Sequence, residues 1–285
     1  MKRRSAMAAA LLAMLLAVGI ILYPPVSTAY NEAHRSQIRL QHQQEVEQLP
    51  DGRIAEMRQK AQWYNQSLSL ISDTTYTPQM LEEAAETYKH QLDLVGDGIM
   101  GYVEVPKIGA YLPIYHGTGD ATLELGVGHL LGSALPIGGE GNHTVLTAHS
   151  GKASQKLFSD LPQLETGDRF YLHVLDESLA YEVDAIHQVL PHETQYLAPE
   201  RQQDYCTLVT CTPFGVNTHR LLVRGSRVPW EQTAEAEPVE PTTGAVASTW
   251  EQEYRKGIGY GLLLALTVPG IWGIRCLWRR SRGKA

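Results

Sequence analysis

The sequence predicts a mainly β domain, a closed barrel or a sandwich, behind an α-helical region and between two membrane-spanning helices. Three observations lead there. Short β-rich runs separated by Gly/Pro turns crowd the stretch after residue 97, a long polar and nearly glycine-free stretch precedes it, and an uncharged apolar run stands near each end. Composition agrees: of 285 residues, 43% are apolar and 19% charged. That excludes a disordered chain, a collagen-like repeat and a polytopic membrane protein. Three cysteines are too few for a disulfide scaffold or a four-thiolate zinc site. The net charge of −7 argues against a nucleic-acid partner. It conceals a segregation, since residues 24–256 hold 16 basic and all 31 acidic residues, a net of −15.

Residues 1–29 read as a basic segment and membrane anchor. Lys2, Arg3 and Arg4 precede 19 uncharged residues, 5–23, which as a helix span about 29 Å, close to the hydrocarbon thickness of a bilayer. Pro24-Pro25 is expected to end this helix. A cleaved signal peptide, with Ser27-Thr28-Ala29 as a small-residue cleavage site, is the competing reading. Residues 30–96 form the helical region: Pro50-Asp51-Gly52 breaks it, and Thr77-Pro78 caps another helix to about Leu92.

From residue 97 to 228 the texture is β. Strands are expected at Tyr102–Val105, Tyr111–Tyr115, Thr144–His149, Phe170–Val174, Leu179–Val189, Tyr205–Cys211 and His219–Val223. Residues 229–256, with Pro229, Pro238 and Pro241 among Glu, Ala and Thr, read as a solvated stalk. Residues 257–285 supply a second span, 257–274, and a basic tail from Arg275 to Lys284. Basic residues mark the cytoplasmic side, so both termini lie inside and the middle outside.

An exported domain that keeps unpaired thiols draws attention to them. Cys206 and Cys211 lie on one expected strand, five positions apart, about 16 Å and on opposite faces, so they cannot form a disulfide with each other there. Cys206 reads as a small buried hydrophobe. Cys211, where the strand opens into a loop, is the candidate nucleophile, and it needs a basic or cationic neighbour. Either His219 or Arg220 on the following strand can flank it, but not both, because adjacent strand residues face opposite ways. His149 ends another β run in the same manner, with His143 six residues earlier. No His/Asp/Glu spacing suggests a metal, and no cofactor is expected.

Taken together, Thr207-Leu208-Val209-Thr210-Cys211, the downstream Asn217-Thr218-His219-Arg220-Leu221-Leu222-Val223-Arg224-Gly225, and Thr147-Ala148-His149 resemble the sortases, cysteine transpeptidases of Gram-positive cell surfaces. The stretch from Gly98 to Gly109 and the string Leu112-Pro113-Ile114-Tyr115-His116-Gly117-Thr118 resemble the class C, pilin-polymerising branch. The resemblance implies an eight-stranded barrel with Cys211 as nucleophile, His149 as general acid/base and Arg220 as the substrate and oxyanion stabiliser. It implies cleavage of an LPXTG-like signal between Thr and Gly, and transfer to a pilin lysine. The alternatives are transfer of surface proteins to a cell-wall precursor, and a non-catalytic surface scaffold. Class C enzymes also carry an Asp-Pro-aromatic lid. Here residues 71–78 hold Asp73 and Tyr76 without that proline, so the stretch is either a variant lid or an ordinary loop.

Overall fold

In the computed structural model, the expected β region closes on itself as an eight-stranded barrel. The structure describes residues 2–50, 52–71, 86–152, 154–230, 252 and 254–261. The chain divides into two units, residues 1–22 with 245–285, and residues 23–244. In the first unit, residues 2–22 are helical and Leu12, Leu15, Leu16 and Ile20 are exposed, as befits a lipid-facing surface. Among the described residues one helix is long and apolar enough to cross a membrane, the N-terminal one. Residues 254–261 are helical too, and the remainder of the expected second span lies outside the described residues. So does most of the stalk.

Helix α1 runs from Lys2 to Glu47 and passes through Pro24 and Pro25, which corrects the expectation that they end it. Two prolines remove two amide donors but leave the carbonyl ladder before and after them intact, and a long helix survives that local loss. The helix ends at Glu47 instead, and α2 (Arg53–Ile71) follows after Gly52. Asn65 docks α2 on the barrel by pairing its side-chain amide with one backbone unit: Nδ2 donates to the Leu135 carbonyl at 3.2 Å, and Leu135 N–H donates to Oδ1 at 2.7 Å.

The barrel strands are β1 (Ile99–Val105), β2 (Ala110–His116), β3 (Val127–His129), β4 (Asn142–Thr147), β5 (Arg169–Val174), β6 (Glu177–Val189), β7 (Asp204–Thr212) and β8 (His219–Val228), with helix α3 (Asp120–Leu125) ahead of β3. They close in the order β1-β2-β3-β4-β7-β8-β6-β5. All neighbours are antiparallel except β2–β3 and β4–β7. The sequence reading missed β3, whose Val-Gly-His carries almost no β signature; its ladder partners on β2 and β4 create it. Strand β4 also stops two residues short of His149.

Period-two alternation fills the interior. On β5, Phe170, Leu172 and Val174 are buried while their neighbours are half-buried. Phe170 stacks on Tyr181 with ring centroids 5.6 Å apart. Gly225 makes room for that pair: a Cβ there would lie 2.6 Å from the Phe170 ring. A separate apolar cluster of Val145, Val189, Val209 and Leu222 covers the outer face beneath the end of β7.

A buried polar network secures the segment after the helical region. Residues 86–89 are helical, and the Tyr88 hydroxyl reaches His129 Nδ1 at 2.8 Å while Gly117 N–H donates to its oxygen at 3.0 Å. The Ala134 carbonyl can only accept, so His129 donates from Nε2, at 2.8 Å, and its Nδ1 is left to accept a hydrogen bond from the Tyr88 hydroxyl. Burial lowers the His129 pKa to about 4, keeping the ring neutral.

Candidate active site

Strand β7 carries both described cysteines, neither in a disulfide. Cys206 points into the barrel core, fully buried, where desolvation drives its thiol pKa up and removes it from chemistry. Five residues on, Cys211 faces the other way and is half-buried at the rim. Burial class and strand period agree on that division of roles.

The β7–β8 hairpin decides which neighbour flanks the rim thiol. Cys211 pairs with Arg220 and Thr212 with His219. Residues paired across an antiparallel ladder share a face, with Cα atoms about 4.5–5.5 Å apart, so Arg220 stands with Cys211 and His219 points away. Arg220 also pairs with Val189 of β6, which places it over the outer apolar cluster. Its Nη1 donates to the carbonyls of Asn217 (3.2 Å) and His219 (3.1 Å), while among the described residues Nε and Nη2 carry no hydrogen bond. Two donors of the fork are therefore available to an anionic group.

His149 arrives from the parallel strand on the other side. Thr147 pairs with Val209, and Ala148 N–H continues the ladder to the Val209 carbonyl at 3.1 Å. His149, the next residue, therefore runs alongside the end of β7, where Cys211 lies. Three bonds clasp the chains here. Besides the Ala148 amide, Thr210 Oγ1 donates to the Ala148 carbonyl at 2.9 Å, and Ser150 Oγ donates to the Cys211 carbonyl at 2.6 Å. Gly151, at φ +76°, lets the loop press against the one after β7, since a Cβ there would lie 2.9 Å from Gly215 N. The sequence reading gave Ser150 no role; only its position next to His149 hinted at one.

Burial lowers the His149 pKa, and the Lys152 charge lowers it further against the opposing pull of Glu124 and Asp120. Lys152 and Glu124 form an ion pair at the loop's edge. The imidazole is thus held toward its neutral, proton-accepting form at neutral pH. His143, by contrast, is a satisfied core residue: Nδ1 lies 3.0 Å from the Ala198 carbonyl and Nε2 2.7 Å from Thr207 Oγ1. His219 Nδ1 meets the Thr218 hydroxyl at 2.9 Å. Asp73 and Tyr76, the expected lid residues, lie outside the described residues.

A thiol on β7 and a guanidinium on β8 share a face at one rim, and the segment carrying an imidazole just past β4 is clasped to the same end of β7. Comparison with known proteins places the arrangement. The sortase domain matches residues 103–228. The crystal structure of sortase C1 from Streptococcus agalactiae is 41% identical and superimposes with a TM-score of 0.63, over 67% of this chain and 98% of that one.

The chain belongs to the sortase family. Solved sortases C are among the structures it resembles. The sortase C of Streptococcus pneumoniae, whose crystal structure addresses pilin substrate specificity, is 39% identical with a TM-score of 0.59, over 68% of this chain and 97% of that one. Sortase D of Bacillus subtilis is 33% identical over 45% of this chain, and sortase A of Bacillus anthracis 26% over 46%. This sortase's match spans only 63% and 60% of those two proteins' lengths. Members of the family are cysteine transpeptidases.

Proposed function

We propose that this sortase cleaves an LPXTG-like sorting signal between Thr and Gly and transfers the acyl group to a lysine amine of a pilin subunit. Cys211 is the nucleophile, His149 the general acid/base and Arg220 the substrate and oxyanion stabiliser. The observation that carries the reading is the ladder that pairs Cys211 with Arg220, while hydrogen bonds from the residues on either side of His149 hold that segment to the end of β7.

The steps follow from that placement. The Cys211 thiol passes its proton to His149, and the thiolate attacks the threonine carbonyl carbon. Negative charge moves onto the carbonyl oxygen, where the open Arg220 donors meet it. The C–N bond breaks as the His149 imidazolium protonates the leaving glycine amine, and a thioester remains. A lysine amine then attacks the thioester and yields its proton to His149. The C–S bond breaks, an isopeptide bond forms, and the sulfur leaves as thiolate, restoring the site. Because the thioester retains acyl-transfer energy, an amine competes with water wherever the rim limits hydration.

The pilin reading is supported by the likeness to sortases C, of which this chain covers 98% and 97%, and by the pilin specificity attributed to the Streptococcus pneumoniae enzyme. A cell-wall precursor as acceptor is the second reading. The exposed apolar face of residues 12–22 supports a membrane anchor with the barrel outside the cell, and the basic tail extends this to a two-pass chain with both termini inside.

The test uses a fluorogenic sorting-signal peptide with wild type and Cys211→Ala. Cleavage should vanish in the variant; full activity there ends the enzyme reading in favour of a surface scaffold. Offering pilin and a wall precursor together, with mass spectrometry of the product, separates the two acceptors.

A further inference from the structure

The ectodomain half of α1, the β1–β2 hairpin and the loop after β4 line a solvent-open cavity of about 180 Å³. Its charge contrasts with its surroundings. Arg35, Arg39 and Lys156 line it, against the single acid Glu32. Lys156 is already engaged, 2.9 Å from Asp160 Oδ2 and donating to the Ile108 carbonyl at 3.2 Å. Counting Asp160 still leaves an excess of one positive charge, inside a segment, residues 24–256, whose net charge is −15.

The cations are short of partners. Arg39 lies 4.7 Å over the Tyr111 ring and, among the described residues, makes neither an ion pair nor a hydrogen bond. Arg35 donates to the neutral Gln155 side chain, and burial pulls its pKa down with Glu32 pushing back. A second observation is independent of charge. Tyr102, which lines the same cavity, is only 5% exposed, and its hydroxyl has no hydrogen-bond partner among the described residues. Buried hydroxyls are nearly always satisfied, by protein, water or ligand.

We propose that this cavity binds a small phosphate-class oxyanion, held by the Arg35 and Arg39 guanidiniums with the Tyr102 hydroxyl as a neutral donor. Planar guanidinium forks match a tetrahedral oxyanion with paired donors, and the volume suits a group equivalent to a few waters. Two sources offer that chemistry outside a membrane: free phosphate and the phosphodiester of a lipid headgroup. The ligand would tie α1 to the loop that begins at His149. Asn31 already donates to the Ser154 carbonyl at 2.9 Å, and Phe158 N–H donates to the His149 carbonyl at 3.2 Å. The proposal stands whether or not the transpeptidase assignment does.

Full-length protein in detergent is titrated calorimetrically with sodium phosphate, glycerophosphoglycerol and acetate, each against sodium chloride of equal ionic strength. Thermal unfolding is followed in parallel. Saturable binding of a phosphate probe with a rise in Tm is expected, and the tighter of the two probes identifies the source. Arg39→Gln should weaken it at least about tenfold and Tyr102→Phe about threefold, while Cys211→Ala leaves it unchanged. Arg35→Gln gives the same comparison if Arg39→Gln fails to fold. The proposal is overturned if neither phosphate probe binds above the chloride control, if acetate binds tighter than both, or if Arg39→Gln and Tyr102→Phe bind like wild type.

Discussion

Replacing Ser150 by alanine removes one hydrogen bond and nothing else of consequence, because the side chain is nearly buried and its hydroxyl spans to the Cys211 carbonyl at 2.6 Å. A neutral bond of this kind contributes about 1 kcal/mol net, and up to about 3 kcal/mol if the abandoned carbonyl stays dry. In a domain of this size the loss should lower Tm by roughly 2–10 °C. The functional effect should exceed the thermal one. Of the three bonds that clasp the His149 loop to β7, this one alone lies beyond His149, so its loss frees the His149 segment to drift from the end of β7. Displacement of a catalytic group by about 1 Å can cost on the order of a hundredfold in rate. The assay is peptide cleavage with separate kcat and KM, together with the pH dependence of Cys211 alkylation. Ser150→Ala should lower kcat with KM little changed and shift the alkylation profile toward that of an isolated thiol, and Ser150→Thr should restore much of both. A Tm loss without any change in kcat or in the alkylation profile would refute the clasp as a positioning device.

Arg220→Lys keeps the charge but loses the fork, so kcat/KM for peptide cleavage should fall about 10²–10³-fold while the iodoacetamide rate at Cys211 stays within a few-fold; an equal fall in both would mean the residue serves only the thiol. His129 titrates near pH 4 when folded and near 6.5 when unfolded, so the unfolded chain takes up the proton first. Stability is full above pH 6.5 and should drop by about 3 kcal/mol on going to pH 4, and urea titrations of His129→Gln should show a flatter profile across that window. Gly225→Ala puts a methyl 2.6 Å from the Phe170 ring and should cost about 1–3 kcal/mol in urea unfolding; an unchanged midpoint would show that the Phe170–Tyr181 stack yields freely.

Much of this molecule is legible in its residues alone. Seven strands stand out because β-branched and aromatic residues alternate between glycine and proline turns, and the eighth does not because three residues of Val-Gly-His carry no pattern of their own. Cys211 is singled out by its place at a strand end, and Cys206 is set aside as core; burial and the raised pKa of Cys206 agree. Pro24-Pro25 misleads, because local propensity says where a helix is weakened and not whether it stops.

Local sequence determined the strands, the apolar run near the N-terminus and the identity of the groups with reactive chemistry, since each of these depends on neighbours a few positions away. Ladder register did the rest. Whether Arg220 or His219 shares a face with Cys211 turns on a one-residue slip between β7 and β8, and spacing along one strand cannot report a pairing with another. His149, 62 positions before Cys211 in the chain, comes alongside the end of β7 only because β4 lies parallel to β7 in a closed barrel, a neighbourhood set by the burial of the common core and by no signal near either residue.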